Sequence, residues 1–506
     1  MARFFITTAI DYANGDPHMG HAFEKIGADA IARYRRLRGD EVWFLIGMDE
    51  HGQKVAQVAQ DRGVSPQALT DEIAATFLAT WRDLGISNDQ FIRTTAAEHK
   101  AGVTDLIERI FARNPDDFYE RRYRGRYCVG CEAFKTDADI VDGKCVLHPT
   151  RVLEDVEERN WFFRLSRYQG FLEDLLERNP DFVQPEIRRN EILGLLRQGL
   201  EDVSASRSRV TWGVPFPRPT TDGEAQTTYV WFDALPNYWT ASRFSGSGAS
   251  WPAQLHVVGK DITRFHCVIW PAMLHAAGEA LPDRVWAHGF IYFGGDRLSK
   301  SAGVRLDLRD AITRHGPDAL RYFLLREVGF ANDGSFTWER FDERYTSDLA
   351  DGLGNLASRT LAMIEKYRGG QVPAGKATSL DTAGAEAVAR YRAAMDALDL
   401  RGGAEAAWEL VTAANQYIVQ TAPWALAKQG KDGELDDALH ALAGCLLRLA
   451  VLVFPFMPAK AGELWGYLGQ SASPAASWAQ AEAPQGVGAQ VRKPEGLFPR
   501  PAPTTP

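Results

Sequence analysis

Apolar residues recur along the chain with a changing period, and the period sets the expected elements. Arg3-Phe4-Phe5-Ile6-Thr7-Thr8 reads as a short buried strand. A loop of Tyr, Asn, Gly, Asp and Pro follows, then an amphipathic helix with Phe23, Ile26, Ala30, Tyr34 and Leu37 on one face. Gly39 is the expected stop of that helix, and the run Val42 to Ile46 is a second strand that delivers Gly47-Met48-Asp49-Glu50-His51-Gly52. Strand, helix and strand in this order make a parallel unit, with ligand groups expected where the strands exit. From about Phe118 to Thr220 the pattern breaks into short charged segments around a Cys/His cluster, and a second α/β half opens at Thr228-Tyr229-Val230-Trp231. Beyond about residue 345 the chain is alanine-rich and helical. Leu435, Leu439, Leu442, Leu446, Leu449 and Val453 step by alternating fours and threes, the stripe of a helix-bundle core. From Gly469 to Pro506, Pro, Ala, Ser and Gln accumulate without period, so much of that tail is expected to be extended or mobile.

Composition adds limits rather than a function. The chain has 506 residues, too many for one ordinary core, with 45% hydrophobic and 24% charged residues, an average soluble globular balance. No basic segment followed by a long apolar one opens the chain, and no apolar run reaches membrane-spanning length, so a cytoplasmic protein is expected. A net charge of −9 gives no bulk attraction to nucleic acid, and any such binding must come from local patches and shaped pockets. Of five cysteines, three fall in the pattern Cys128-x2-Cys131-x13-Cys145-x2-His148. Two ligand pairs at knuckle spacing can close a tetrahedral Zn²⁺ site, and three thiolates with one imidazole leave no open position, which makes the site structural.

Two segments carry candidate chemistry. His18-Met19-Gly20-His21 sits between the first strand and its helix, where unpaired backbone N–H groups and the helix dipole favour an anion. Asp296-Arg297-Leu298-Ser299-Lys300-Ser301 places cations and hydroxyls in a Gly-flanked loop suited to a polyphosphate leaving group. Alone, the first is as readily a surface pair or metal site and the second a solvated loop. Together, and in this order, they resemble the HIGH and KMSKS signatures of class I aminoacyl-tRNA synthetases. The segments at 7–24, 47–52, 229–239, 257–274, 355–359 and 422–424 each resemble those of the methionyl-tRNA synthetase family. No P-loop or dinucleotide-type glycine motif competes for the nucleotide.

The resemblance implies a split Rossmann-type α/β parallel-sheet domain with a zinc-knuckle insertion, followed by an all-α anticodon-binding bundle. The expected divisions are 1–116, insertion 117–225, second half 226–325, a connecting stem-contact element 326–348, bundle 349–468 and tail 469–506. It also implies methionine activation with ATP and Mg²⁺ and transfer to initiator and elongator methionine tRNA. ATP contacts carry over to His18, Gly20, His21, Lys260, Asp261 and Lys300, with Ser299 and Arg297 in the closing loop. Arg297-Leu298 stands where the family has Lys-Met; the charge is kept but guanidinium geometry differs. The methionine pocket maps to Ala9, Ile10, Tyr12, Trp231, Ala234, Tyr238, Ile262, Phe265 and His266, with Asp49 for the substrate ammonium. Leu235 replaces a proline of some relatives. A thioether offers little hydrogen bonding and is best selected by aromatic contact and shape, which agrees with that set. Asn355, Arg359, Pro423 and Trp424 match positions that read a CAU anticodon. Some members of the family carry an extra C-terminal tRNA-binding and dimerising domain for which this sequence is too short, so a monomer is expected. A synthetase for leucine or cysteine, a tRNA-independent ligase on the same fold, and a zinc-bearing RNA-binding module are the alternatives. The aromatic pocket, the anticodon positions and the paired ATP signatures respectively weigh against them.

Overall fold

In the computed structural model, which describes residues 2–128, 133–135, 139–146, 149–150, 152–293, 296–297, 307–471, 473–492 and 496–500, Arg3–Thr8 is a central strand of a seven-stranded sheet. Across the sheet run Val183–Gln184, Val285–His288, Leu255–Gly259, Arg3–Thr8 and Glu41–Asp49, all parallel. Asp11–Tyr12 and Gln90–Arg93 both pair with Glu41–Asp49, also in parallel. Helices cover both faces, which is why the strand around Phe44-Leu45-Ile46 is a continuous apolar run.

The helix expected after the first strand spans Met19–Leu37, and Gly39 leaves it at a φ of +87°, a turn a side chain would resist. It differs from the amphipathic surface helix that the apolar period predicts: every residue from Ala22 to Ala32 is buried, Glu24, Lys25 and Asp29 included. The reason is that its polar side is covered twice: Glu24 and Lys25 meet Asp11 and His288 at the strand ends, while Asp29 meets Arg321, over which Pro455 and Phe456 close. Gly27 lets Phe330 reach the helix backbone, since a Cβ there would lie 2.2 Å from the Phe330 ring.

Within the expected insertion, Phe118–Cys128 and Glu154–Phe163 form a long antiparallel ribbon flanked by Val203–Ser204 and Ala133–Lys135. The middle of that segment returns to the main domain. Val183–Gln184 is an edge strand of the parallel sheet, and Leu172, Leu176, Ile192 and Leu196 join the core on its second face. The strands Ile291–Phe293, Asp296–Arg297 and Gly334–Phe336 form a small separate sheet that follows the main sheet's strand Val285–His288.

The helical region contains Asn355–Arg368, Ser379–Asp396, Leu400–Thr421 and Asp432–Val453. The leucine stripe lies on the last of these, where everything from Ala441 to Val453 is buried, so this helix is the bundle's centre. The expected connecting element does not end at a break: Trp338–Arg344 continues through the π-helical Tyr345–Gly354 into Asn355–Arg368. The tail differs from expectation. Trp478 packs between Tyr34 and Tyr391, with centroids 6.1 and 6.3 Å away, and Val491, Leu497 and Phe498 are buried. These anchors are single residues in irregular chain, and periodicity cannot reveal them. Among the described residues no helix is long and apolar enough to cross a membrane.

Candidate active site

Strand order reverses beside Arg3–Thr8: the chain proceeds to Glu41–Asp49 and Gln90–Arg93 on one side, then returns to Leu255–Gly259 and Val285–His288 on the other. In open parallel sheets such a reversal leaves a crevice at the carboxyl ends of the strands. A cavity of about 790 Å³ opens there, walled by Ala9 and Ile10, Asp49, Gly259 and His288-Gly289 from four different strand ends. Of the residues predicted from sequence, His18, Gly20, His21, Tyr12, Trp231, Ala234, Tyr238, Asp261, Ile262 and His266 also line it.

At one end of the cavity the helix Met19–Leu37 begins. His18 is its N-cap: Nδ1 accepts from the Gly20 and His21 N–H groups at 3.1 and 3.4 Å, and His21 Nδ1 accepts from the His18 N–H at 3.3 Å. Each imidazole therefore keeps its proton on Nε2, and the rings stack 3.6 Å apart. Two Nε2–H donors thus join the helix N-terminus as an anion seat. A Cβ on Gly20 would lie 3.0 Å from His18 Cε1, so glycine allows the cap to fold back.

Another part of the lining is aromatic. Trp231 stacks on Phe265 at 3.7 Å, with the two ring planes nearly parallel. The Tyr238 hydroxyl donates to His266 Nε2 at 2.7 Å, while His266 Nδ1–H donates to the Ile262 carbonyl at 3.0 Å. Burial lowers the His266 pKa to about 4, so this imidazole is neutral at neutral pH. Phe265 supports Trp231 rather than lining the cavity. Lys260 also lies outside the lining: its Nζ pairs with Asp333 Oδ2 at 2.6 Å, whereas Asp261 and Ile262 of the same turn line the cavity.

Three buried polar groups are not foreseen from the sequence. Lys25 Nζ donates to Ala9 O, Asp11 Oδ1 and Glu24 Oε1 at 2.9, 2.7 and 2.9 Å, filling all three of its donors, and His288 Nε2 donates to Glu24 Oε2 at 3.1 Å. Burial raises Asp11 to about 7 in spite of Lys25. Secondly, Asp233 accepts from His51 Nδ1 at 2.6 Å and from His99 Nε2 at 3.0 Å, and these histidines hold it at about 2 against the opposing effect of burial. That pair ties the segment bearing Asp49 to the helix bearing Trp231 and Ala234. Thirdly, Arg321 is wholly buried against Asp29. A charge inside an apolar run, as at Asp233, was the available signal; the setting of Lys25 depends on the strand ends folding over it and that of Arg321 on bundle docking, and neither left one.

A second concavity of about 550 Å³ lies on the bundle, lined by Asn355, Arg359, Asp348, Trp408 and Asn415 among others. Pro423 begins the helix Pro423–Lys428 and is buried, whereas Trp424 is 46% exposed, with the Arg359 guanidinium 5.9 Å from its ring centre. In the knuckle, Cys128 and Cys145 are both buried and cluster with Leu153 and Ile140. Cys131 and His148 lie outside the described residues, as do Leu298, Ser299 and Lys300; Arg297 is described only in its backbone pairing with Tyr292. Among the described residues no group of three His, Cys, Asp or Glu could hold a metal ion.

Residues 4–155 and 152–361 match the family described as tRNA synthetases class I (M), and residues 368–501 match the anticodon binding domain of methionyl tRNA ligase, a span that takes in most of the tail. A methionine–tRNA ligase of Streptomyces coelicolor is 40% identical over 98% of this chain and 96% of its own length. One from Bacillus subtilis is 40% identical over 98% of this chain and 78% of its own. Among solved structures, Mycobacterium tuberculosis methionyl-tRNA synthetase with methionyl-adenylate superposes with a TM-score of 0.93 at 39% identity, covering 99% of this chain and 100% of that one.

Proposed function

The chain belongs to the methionyl-tRNA synthetases, and on that premise we propose how its residues divide the family's reaction. The enzyme activates methionine with ATP, releasing pyrophosphate, and transfers the methionyl group to the 3′-terminal ribose of methionine tRNA. The observation that carries the assignment of residues is the make-up of the cavity's lining, with an anion seat at the helix N-terminus, an aromatic part that holds a neutral His266, and Asp49 on its wall.

Methionine's ammonium meets the Asp49 carboxylate and its thioether enters the aromatic part, with Ala9, Ile10, Tyr12, Trp231, Ala234, Tyr238, Ile262 and His266 around it. A neutral His266, fixed as a donor to Ile262 and an acceptor from Tyr238, presents no charge to the sulfur, so the pocket rejects charged side chains. The ATP phosphates lie over His18, Gly20 and His21, and Asp261 faces the nucleoside side. Mg²⁺ enters with ATP as part of the substrate. The methionine carboxylate oxygen attacks the α-phosphorus and the bond to the β-phosphate oxygen breaks. Lys300 and Ser299, with Arg297, close on the departing pyrophosphate charge. A ribose hydroxyl of tRNA then attacks the adenylate carbonyl carbon and AMP leaves. Catalysis is positioning and charge stabilisation, so no protein nucleophile is assigned.

The donor set of Cys128, Cys131, Cys145 and His148 supports a structural Zn²⁺, and the burial of the first and third thiols in their own small cluster agrees with it. When bound, that ion would cross-link the knuckle. Asn355, Arg359 and Trp424 supply the hydrogen bonds and stacking platform for the anticodon, in a monomer that works where tRNA and ATP are, in the cytoplasm. Amino-acid-dependent pyrophosphate exchange across twenty amino acids tests the reading. Exchange driven by methionine is expected, and exchange driven better by another amino acid would reject it.

A further inference from the structure

Two adjacent residues of the helix Pro317–Phe323 reach different partners. Tyr322 lays its ring on Trp408, 4.1 Å between centroids, and its hydroxyl donates to Asp348 Oδ2 at 2.8 Å. Trp408 and Asp348 both line the groove that carries Asn355 and Arg359. Arg321 goes the other way. Its Nη2 donates to Asp29 Oδ2 at 2.7 Å and to Pro455 O at 2.9 Å, its Nε to Phe456 O at 3.0 Å and its Nη1 to Leu84 O at 3.3 Å. Asp29 belongs to the helix that starts at the His18 cap and carries His21 and Glu24 into the cavity. The groove and the anion seat are thus joined by one short helix through side chains in direct contact.

Two properties of this link point beyond simple support. The Arg321–Asp29 pair is wholly buried, and a buried ion pair returns little net stability over an apolar replacement; what it fixes is geometry. Moreover, the link adjoins π-helical turns on its groove side: Leu324–Val328 follows Phe323, and Tyr345–Gly354 holds Asp348 and runs directly into Asn355. Such turns are uncommon and gather at functional sites. A π-helical turn differs from an α-helical one by a defined register, and coupling between distant sites requires two discrete arrangements.

We propose that Tyr322 and Arg321 are positioning residues that couple the bundle groove to the ATP end of the active site. An RNA loop seated against Asn355, Arg359 and Trp408 shifts Asp348 and Tyr322, and Arg321 transmits the shift through Asp29 to the helix bearing His18 and His21. This rests on the groove's being the anticodon site.

The test compares wild type, Tyr322→Phe and Arg321→Lys in three assays: charging of full-length methionine tRNA, charging of an acceptor-stem minihelix without an anticodon arm, and pyrophosphate exchange without RNA. Wild type is expected to turn over full tRNA faster than the minihelix. In the variants, kcat for full tRNA falls roughly 3- to 30-fold toward the minihelix value while its KM, minihelix charging and exchange hold. A structural defect lowers all three rates together, and lost recognition raises KM instead. Tyr322→Phe removes one hydroxyl and keeps the ring stack, so it reports even where Arg321→Lys fails to fold. An unchanged kcat on full tRNA in Tyr322→Phe, or equal losses on both RNAs, overturns the proposal. If wild type charges the minihelix as well as full tRNA, the anticodon reading falls and takes the coupling with it. If Trp424→Ala raises KM for tRNA while Tyr322→Phe leaves kcat intact, the coupling alone falls.

Discussion

Replacing Trp424 separates recognition from packing, because the structure sets an upper limit on what its removal costs the fold. Truncating a fully buried Trp costs about 3–5 kcal/mol. Trp424 is 46% exposed and sits at the start of the short helix Pro423–Lys428, so roughly half of that, about 2 kcal/mol, is the most Trp424→Ala should take from the bundle. Against this stands the loss of a base-stacking platform, worth about 1–3 kcal/mol, or roughly 5- to 150-fold in kcat/KM for tRNA. Trp424→Leu sharpens the comparison, since it keeps apolar contact with the bundle and removes only the flat ring. Both variants should show the tRNA defect at limiting tRNA, the Leu variant should melt close to wild type, and methionine-dependent pyrophosphate exchange should be unchanged in each. If Trp424→Leu charges tRNA normally, or if exchange and charging fall together in proportion to lost melting temperature, the ring is a packing element and the stacking argument is wrong.

Lys300→Ala should lower adenylate formation by roughly 100-fold or more, the usual loss for an oriented donor, whereas Arg297→Lys should stay within about tenfold; exchange kinetics on both variants check this. Elemental analysis should find about one zinc per chain, and Cys145→Ser should lose it and expose the ribbon Phe118–Cys128 to proteolysis; a metal-free, fully active protein would refute the knuckle. Asp29 is held near 2, below its ordinary 3.8, where Arg33 and Arg321 outweigh the burial that opposes them. Its stabilisation of about 2 kcal/mol is therefore present above about pH 4 and lost as pH falls through 2. Denaturant midpoints should fall less steeply between pH 5 and pH 2 for Asp29→Asn than for wild type, even though the variant starts less stable.

Local order in the sequence made part of this fold legible. The strand, the His18 cap, the helix and the strand ending at Asp49 are consecutive, so pattern alone placed them, and the leucine stripe marked the bundle's central helix. The aromatic residues that the structure brings together around Trp231 and Tyr238 were legible only through family resemblance, because any one of them is as readily a core residue. Contacts between residues far apart in the chain hid the rest. Lys25 looks like a solvated helical lysine until Ala9 and Asp11 at the strand ends enclose it, and Arg321 looks like its helix's surface cation until Pro455 and Phe456 close over it. Val183–Gln184 is too short to announce itself as an edge strand, and it belongs to the parallel sheet only because Val285–His288 offers a free edge. Trp478 and Phe498 order a tail whose composition reads as mobile, since a few anchored aromatics suffice where no periodic element exists.

The measurement that bears most directly on the central claim is charging of unfractionated tRNA with each labelled amino acid in turn, and then identification of the charged tRNAs. The account predicts that methionine alone is attached, and only to tRNAs bearing a CAU anticodon. Attachment of another amino acid, or of methionine without regard to the anticodon, would contradict it.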